Sequence, residues 1–424
     1  ANGTKEVDGE VYLTAADGEV DVGGSVTAHN ADGSGGQIVA NGHTVTVASD
    51  AVMDAGSTAS GRSGGTILIG TSGNGRNLAQ TVALASGAKL TAGGKGAGLI
   101  ETSGHHVTTG NLTIDAGKGG TWLTDPDDLT IDSDAASTIQ TALNSGTNVT
   151  EQTTATGTSG AETVASGNGD INVNSSIAWS GNATLTLDAY RNLNVNAPIT
   201  VNDTGAVVIT TGGDDIFNTG GSLTYSTQNA GSLSVNGTAY TLLWGLSGLN
   251  SIGTTGSISG DFALANNVDD ANALFTPISH TGNFTGTFDG LGHSVSNLNV
   301  NDPTHAVSGL FGISSGTIAN VSVSGIIDGR GGPTTSEVGG VVGQNNGLVR
   351  DSHSSATVYG YYAGGLSGGS AVNATIERST ASGTVYALDG SPYAGGLAGT
   401  ASSIIDSSAS GNVISTVAGS WVGG

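Results

Sequence analysis

Short runs in which aliphatic residues alternate with Thr, Ser or Asn occur along the chain: Val11-Tyr-Leu13, Val45-Thr-Val47, Thr66-Ile-Leu-Ile69, Leu112-Thr-Ile114, Ala183-Thr-Leu-Thr-Leu187 and Leu193-Asn-Val195. Alternation at period 2 predicts half-buried strands, and the Gly, Asn and Asp between the runs predict turns that tolerate positive φ. Hairpins closed by two-residue loops would need Asn-Gly or Asp-Gly between adjacent runs, whereas the connections here are mostly longer. A coil accounts for them better. Each strand then pairs with its equivalent one turn on, at about 4.8 Å; inward aliphatics stack in ladders, and small outward residues leave the faces flat. One segment alone reads as a helix. Asp134-Ala-Ala-Ser-Thr-Ile-Gln-Thr-Ala-Leu143 has an acidic start, Ile139 and Leu143 four apart, and Gly146 beyond its end. It predicts a short excursion from a coil, with Asn148 onward returning to Thr-rich alternation.

The last third of the chain makes the period explicit. Gly309-Leu-Phe-Gly312, Gly340-Val-Val-Gly343, Gly365-Leu-Ser-Gly368 and Gly396-Leu-Ala-Gly399 recur at steps of 31, 25 and 31 residues, and Val422-Gly-Gly424 begins a fifth copy. Six to eight residues after each glycine pair stands an aliphatic residue, Ile318, Val349, Ile376 or Ile405. A Ser/Thr/Ala run follows, then a second aliphatic: Ile327, Val358, Val385 or Val413. A repeat of about 25–30 residues built from short alternating segments marks a solenoid, in which no repeat buries its apolar face until a neighbour stacks on it. The predicted class is all-β: a right-handed parallel β-helix (β-solenoid) of about twenty coils, on the order of 90 Å long, with one short helical excursion. Residues 1–239 form one domain of it. Residues 240–424, opening at Tyr240-Thr-Leu-Leu-Trp-Gly-Leu-Ser-Gly-Leu-Asn250, form the repeat-bearing continuation.

Composition narrows the functional classes. With 73 Gly, 6 Pro, 4% aromatic and 10% charged residues the chain does not describe ordinary globular cores, and with 36% apolar residues in alternation it does not describe disorder. Ten Lys+Arg against 34 Asp+Glu give a formal charge of −24, and Asn192 to Gly329 contains no Lys or Arg. Nucleic acid and anionic membrane, which need a cationic surface, are therefore poor partners. No run of about 18 apolar residues is present, so membrane insertion is not expected. The chain begins Ala1-Asn-Gly-Thr without Met, as a fragment or processed product would, and the absence of Cys suits a chain exported unfolded from a bacterium.

Gly119-Gly-Thr-Trp-Leu-Thr-Asp-Pro-Asp-Asp-Leu-Thr-Ile-Asp132 resembles the signature of filamentous-haemagglutinin-like exoproteins of the two-partner secretion pathway. Leu99-Ile-Glu-Thr-Ser-Gly-His105, Thr141-Ala-Leu-Asn-Ser-Gly-Thr-Asn-Val149 and the stretch from Gly169 to Pro198 belong to the same pattern, which covers residues 100–200. Gly282-Asn-Phe-Thr-Gly-Thr-Phe-Asp-Gly-Leu-Gly-His-Ser-Val295 and the repeats after it resemble the GLUG repeats of bacterial surface proteins, departing from them at Ser367 and Ala398, where an aliphatic is common. The resemblance implies a secreted, monomeric cell-surface or biofilm adhesin, exported through a dedicated outer-membrane transporter. It would attach to exopolysaccharide or to glycan or protein ligands on cells, without catalysis. Two alternatives stand beside it: a polysaccharide lyase or hydrolase on the same scaffold, and a structural stalk spacing a tip domain.

Candidate sites are few. Asp127, Asp128 and Asp132, among Asp125 and Asp134, form the natural core of a Ca²⁺ site through oxygen ligands, but lack the Gly and distal Glu of a calcium loop. Turn and helix-cap duty is the simpler reading, and no cofactor beyond Ca²⁺ is indicated. Carboxylate pairs for glycan cleavage are Asp214-Asp215, Asp269-Asp270, and Asp289 with His293, none beside a Lys or Arg. Asp289-Gly-Leu-Gly-His293 also reads as a turn in which Gly290 and Gly292 take unusual φ. There is no His-Glu-x-x-His and no Gly-Lys-Ser/Thr; Gly61-Arg-Ser-Gly-Gly65 and Gly365-Leu-Ser-Gly-Gly369 lack the helix a nucleophile elbow needs. Tyr361-Tyr362 and Tyr393 sit at comparable places in two repeats, as an exposed aromatic ladder or as strand filling, and Trp122 and Trp179 are expected to pack.

Overall fold

The structure, a computed structural model, describes residues 3–7, 9–72, 78–154, 168–304, 306–388, 390, 393–415 and 421–423. Strand covers 53% and helix 5%, so the chain is all-β. Gly3–Val7 folds back antiparallel on Glu10–Val22, and from Glu10–Val22 onward successive strands pair in parallel, each meeting one that lies a repeat further on. The chain divides into two compact units: residues 1–221 with 225–239, and residues 222–224 with 240–424.

In the first unit the alternation becomes a ladder. Ile38, Ile67, Ile100, Trp122, Val149, Leu185, Val207 and Leu233 stand opposite one another in successive strands and all are buried. Burying each such side chain is worth roughly 1.5–3 kcal/mol, which is why one aliphatic face suffices to hold a strand only a few residues long. Leu129, Ile171 and Leu193 form a short ladder of their own, and another face stacks Met53, Leu90 and Ile114 and, further on, Ile177 and Ile199. On that face, between Ile114 and Ile177, lies helix Ser133–Ser145. Asp132 is its N-cap, accepting from the backbone N–H of Asp134 and Ala135 at 3.0 Å; Gly146, at φ 94°, closes it by donating to the carbonyls of Ala142 and Leu143. The helix takes a strand's place in the stack. Thr138 Oγ1 accepts from Leu112 N–H at 3.0 Å on one side, and Gln140 Oε1 accepts from Ala178 N–H at 3.1 Å on the other, so side chains satisfy donors that a neighbouring strand would otherwise meet.

In the second unit Phe288, Ile318, Val349 and Ile376 form the corresponding ladder, all 0% exposed. Beside it run Val300, Ile327, Val358, Val385 and Val413. Phe311 packs in the same core against Phe284 and Phe288, its ring centroid 5.1 Å and 5.2 Å from theirs. The recurring glycines lie where neighbouring backbones nearly touch: a Cβ at Gly368 would stand 2.2 Å from Val338 N. Two details differ from the sequence reading. The residue opposite Ile376 is Ile404, not Ile405, because the spacing from the glycine pair is not constant between repeats. A second helix, Gly245–Asn250, forms where none was predicted; tertiary burial of Leu249 overrides the weak helix propensity of Gly-Leu-Ser-Gly-Leu-Asn. The start of a fifth copy is described to Gly423, which pairs with Gly395; Gly424 lies outside the described residues.

Candidate functional site

The repeat that builds the core also fixes what faces outward. In the strands Ser322–Asp328, Thr357–Gly360 and Val385–Ala387 the inward positions are Ile327, Val358 and Val385, so the next residues, Asp328, Tyr359 and Tyr386, share the outer face in register. Tyr359 and Tyr386 stack with centroids 4.6 Å apart and planes 7° from parallel. Arg330 lies over the Tyr359 ring, its guanidinium carbon 4.4 Å from the centroid, and is held there by Asp328, whose carboxylate accepts from Nε at 2.9 Å and from Nη2 at 2.6 Å. Burial pushes the Asp328 carboxyl up, but the hydrogen bonds from Arg330 outweigh it and hold it below its ordinary range. Just beyond Thr357–Gly360, Tyr362 begins strand Tyr362–Gly364 and pairs in register with Tyr393, centroids 5.7 Å apart and planes at 44°. Tyr393 is 44% exposed. The two tyrosine pairs stand on consecutive strands with Tyr361 between them, and the same positions in the neighbouring strands hold Asp328 and Ile414 on one row and Glu337 and Trp421 on the other.

Tyr359 and Tyr386 were not singled out in the sequence. The signal was there: the 27-residue step between them equals the step between Val358 and Val385, so a ladder read on one inward position implies a ladder on the outward one.

The carboxylates go elsewhere. Asp289 is 2% exposed; its Oδ1 accepts from Leu291 N–H at 2.7 Å and from Asn320 Nδ2 at 3.1 Å. His293, 3% exposed, has Nε2 2.9 Å from the carbonyl of Leu223 in the same unit, and burial lowers its pKa. In this turn Leu291 (φ 49°) and Gly292 (φ 78°) are left-handed, whereas Gly290 is required for a different reason: a Cβ there would meet the Asn320 carbonyl at 2.3 Å. Asp269 accepts from Asn297 Nδ2 and Ala271 N–H, which lower its pKa, while burial raises that of neighbouring Asp270.

The aspartates of the signature are likewise spread over separate tasks. Asp127 meets His105 at 3.3 Å, Asp128 Oδ1 accepts backbone N–H groups from Asn168, Gly169 and Asp170 at 2.8–2.9 Å, and Asp132 caps the helix. Among the described residues no group of three or more His, Asp or Glu is placed to hold a metal ion. Burial pushes Asp125 up to about 6, with Thr154 opposing and Glu101, Asp127 and Asp188 adding to it. Trp122 and Trp179 are each 1% exposed, with indole N–H groups donated to Thr102 Oγ1 at 3.1 Å and the Ala183 carbonyl at 3.2 Å.

No protein-family model, no curated protein and no solved structure matches the chain. Among the described residues no helix is long and apolar enough to cross a membrane.

Proposed function

We propose that each unit is a right-handed parallel β-helix and that the chain is part of a secreted bacterial surface adhesin of the filamentous-haemagglutinin-like kind. It would act as a monomer exported through an outer-membrane transporter, and bind an extended glycan without cleaving it. The observation that carries this reading is the pair of tyrosine rows, Tyr359–Tyr386 and Tyr362–Tyr393, repeated in register on the outside of successive coils. Aromatic faces stack on the apolar faces of sugar rings, and contacts that repeat along a polymer add as linked sites do. A net charge of −24 disfavours anionic polymers and leaves neutral exopolysaccharide as the preferred class. The commitments of Asp289 and His293 to buried hydrogen bonds favour binding over hydrolysis.

Binding of the purified chain to immobilised neutral polysaccharides tests this. The double variant Tyr359→Ala/Tyr386→Ala should lose at least about tenfold in affinity, as removal of stacking platforms does. Tyr190→Ala, at a Tyr 53% exposed in the first unit, should not. Equal binding by all three proteins would overturn the reading.

A further inference from the structure

The interior of the first unit holds a second feature. Beside the aliphatic ladder runs another, Ala40, Ile69, Thr102, Thr124, Glu151, Leu187, Ile209 and Val235, which turns polar for three consecutive coils. It does so where the stack opens. Strand Leu99–Thr109 pairs along its later half with Ala79–Leu84 on one edge, and among the described strands none covers His106–Thr109 on the other. Among the described strands, Leu129–Ile131 pairs with Ile171–Val173 alone. The two open edges line a cavity of about 330 Å³.

Glu151 reaches this cavity from the core. The residue is 2% exposed, and among the described residues its Oε1 has no hydrogen-bond partner. An orphaned buried carboxyl oxygen is costly relative to a satisfied one, so a partner supplied from outside would recover that cost. Trp122, its N–H already donated to Thr102, provides an aromatic wall with Leu129 and Ile131 beside it, and Thr108 adds a hydroxyl. The other titratable groups on the cavity are His106, Asp128 and Asp132. Both aspartates accept backbone N–H groups, which leaves Glu151 as the acid with an open oxygen. Burial pushes its carboxyl up to about 8, against a hydrogen bond from Thr124, so at neutral pH it is protonated and both donates and accepts.

Each ligand class then meets a different reception. Anions would face carboxyl groups, and a divalent cation would find one carboxyl instead of the several oxygens it needs. A neutral hydroxylated ring would find an aromatic wall, an amphoteric carboxyl and hydroxyls, in a space at the small end of ligand pockets. We propose that this cavity is a binding site for an uncharged polyhydroxylated ligand of monosaccharide size, held by Glu151 against Trp122.

The test titrates the whole chain with glucose, galactose, mannose and N-acetylglucosamine, read by saturation-transfer NMR and by tryptophan fluorescence. At least one sugar should bind. Glu151→Gln, which keeps a donor and an acceptor, should stay within about threefold of the parent, whereas Glu151→Leu should weaken binding at least tenfold. Affinity should be level below pH 7 and fall about tenfold per unit above pH 8 in the parent, and stay level throughout in Glu151→Gln. If Glu151→Leu does not fold, judged by circular dichroism, the two pH profiles carry the test. Tyr190→Ala, at an exposed tyrosine of the same unit outside the cavity lining, should bind these sugars unchanged. No transfer to any of the four sugars at millimolar concentration, or binding indifferent to both Glu151→Leu and pH, would overturn the proposal. So would preferential binding of putrescine that tightens as pH rises, which would make the cavity a cation site.

Discussion

The two units use the same stacking device and interrupt it in different ways. In the second, the inward ladder through Phe288, Ile318, Val349 and Ile376 stays apolar, a separate row turns polar where Phe284 gives way to Ser314 and Asn345, and a stacked aromatic pair stands outside on Tyr359 and Tyr386. In the first, the outer faces carry mostly Thr and Asn, as in the Asn172–Asn194 side-chain bond at 3.0 Å, and the variation lies inside, where Thr102, Thr124 and Glu151 interrupt the ladder. Stability in such a stack comes from neighbours alone, so either side of the wall is free to depart from the pattern as long as the other keeps it.

The sharpest break of this comparison is a charge placed where the second unit keeps its ladder apolar. Ile376→Asp should destabilise by about 3–5 kcal/mol, since the buried carboxylate finds no partner, while Glu377→Ala one residue on, half-buried and paired with Arg378, should cost under about 1 kcal/mol. Urea melts of the two variants give the answer. Similar losses would mean that inward and outward positions are not distinguished there.

The carboxyl the first unit already buries gives a smaller, pH-dependent effect. With Glu151 pushed up to about 8 from an ordinary 4.5, both folded and unfolded chains are protonated below pH 4.5, only the unfolded chain ionises between 4.5 and 8, and both are ionised above. Stability therefore falls as pH rises through that window, by a few kcal/mol in all, and is level beyond it. Glu151→Gln removes the fall. Its Tm should match the parent's near pH 4 and exceed it at pH 8; a constant offset across the range would contradict the assignment.

The smallest expected change is in stability at the outer row. Tyr386→Ala removes a stacked pair and should cost roughly 0.5–1.5 kcal/mol beyond the lost area, with no change in the circular dichroism of the fold.

How much of this was legible in the sequence depended on period. Val358, Val385 and Val413 stand at equivalent positions because the repeat spacing carries them; the same spacing sets Tyr361-Tyr362 beside Tyr393, and the strand pairing makes Tyr362 the partner. The helix was legible from Ile139, Leu143 and Gly146, though its cap at Asp132 lies two residues before the predicted start, since capping precedes the apolar pattern. Ile404 was misplaced by one because two adjacent isoleucines satisfy the pattern equally until a strand partner chooses between them. Glu151 stands two residues after Val149, at the alternation position that points inward, but a lone Glu in a Thr-rich run carries no sign of burial. The cavity it faces arises from where pairing stops, and that is set by which distant strands meet.

The most direct measurement follows a neutral polysaccharide, prepared at graded lengths, through binding and prolonged incubation with the chain. Affinity should rise with length, fall in Tyr359→Ala/Tyr386→Ala, and leave the recovered polymer unchanged in size with no new reducing ends. A bound polymer that is shortened, with Asp289→Asn abolishing the shortening while the fold persists, would contradict a non-catalytic adhesin and place hydrolysis or elimination on this scaffold instead.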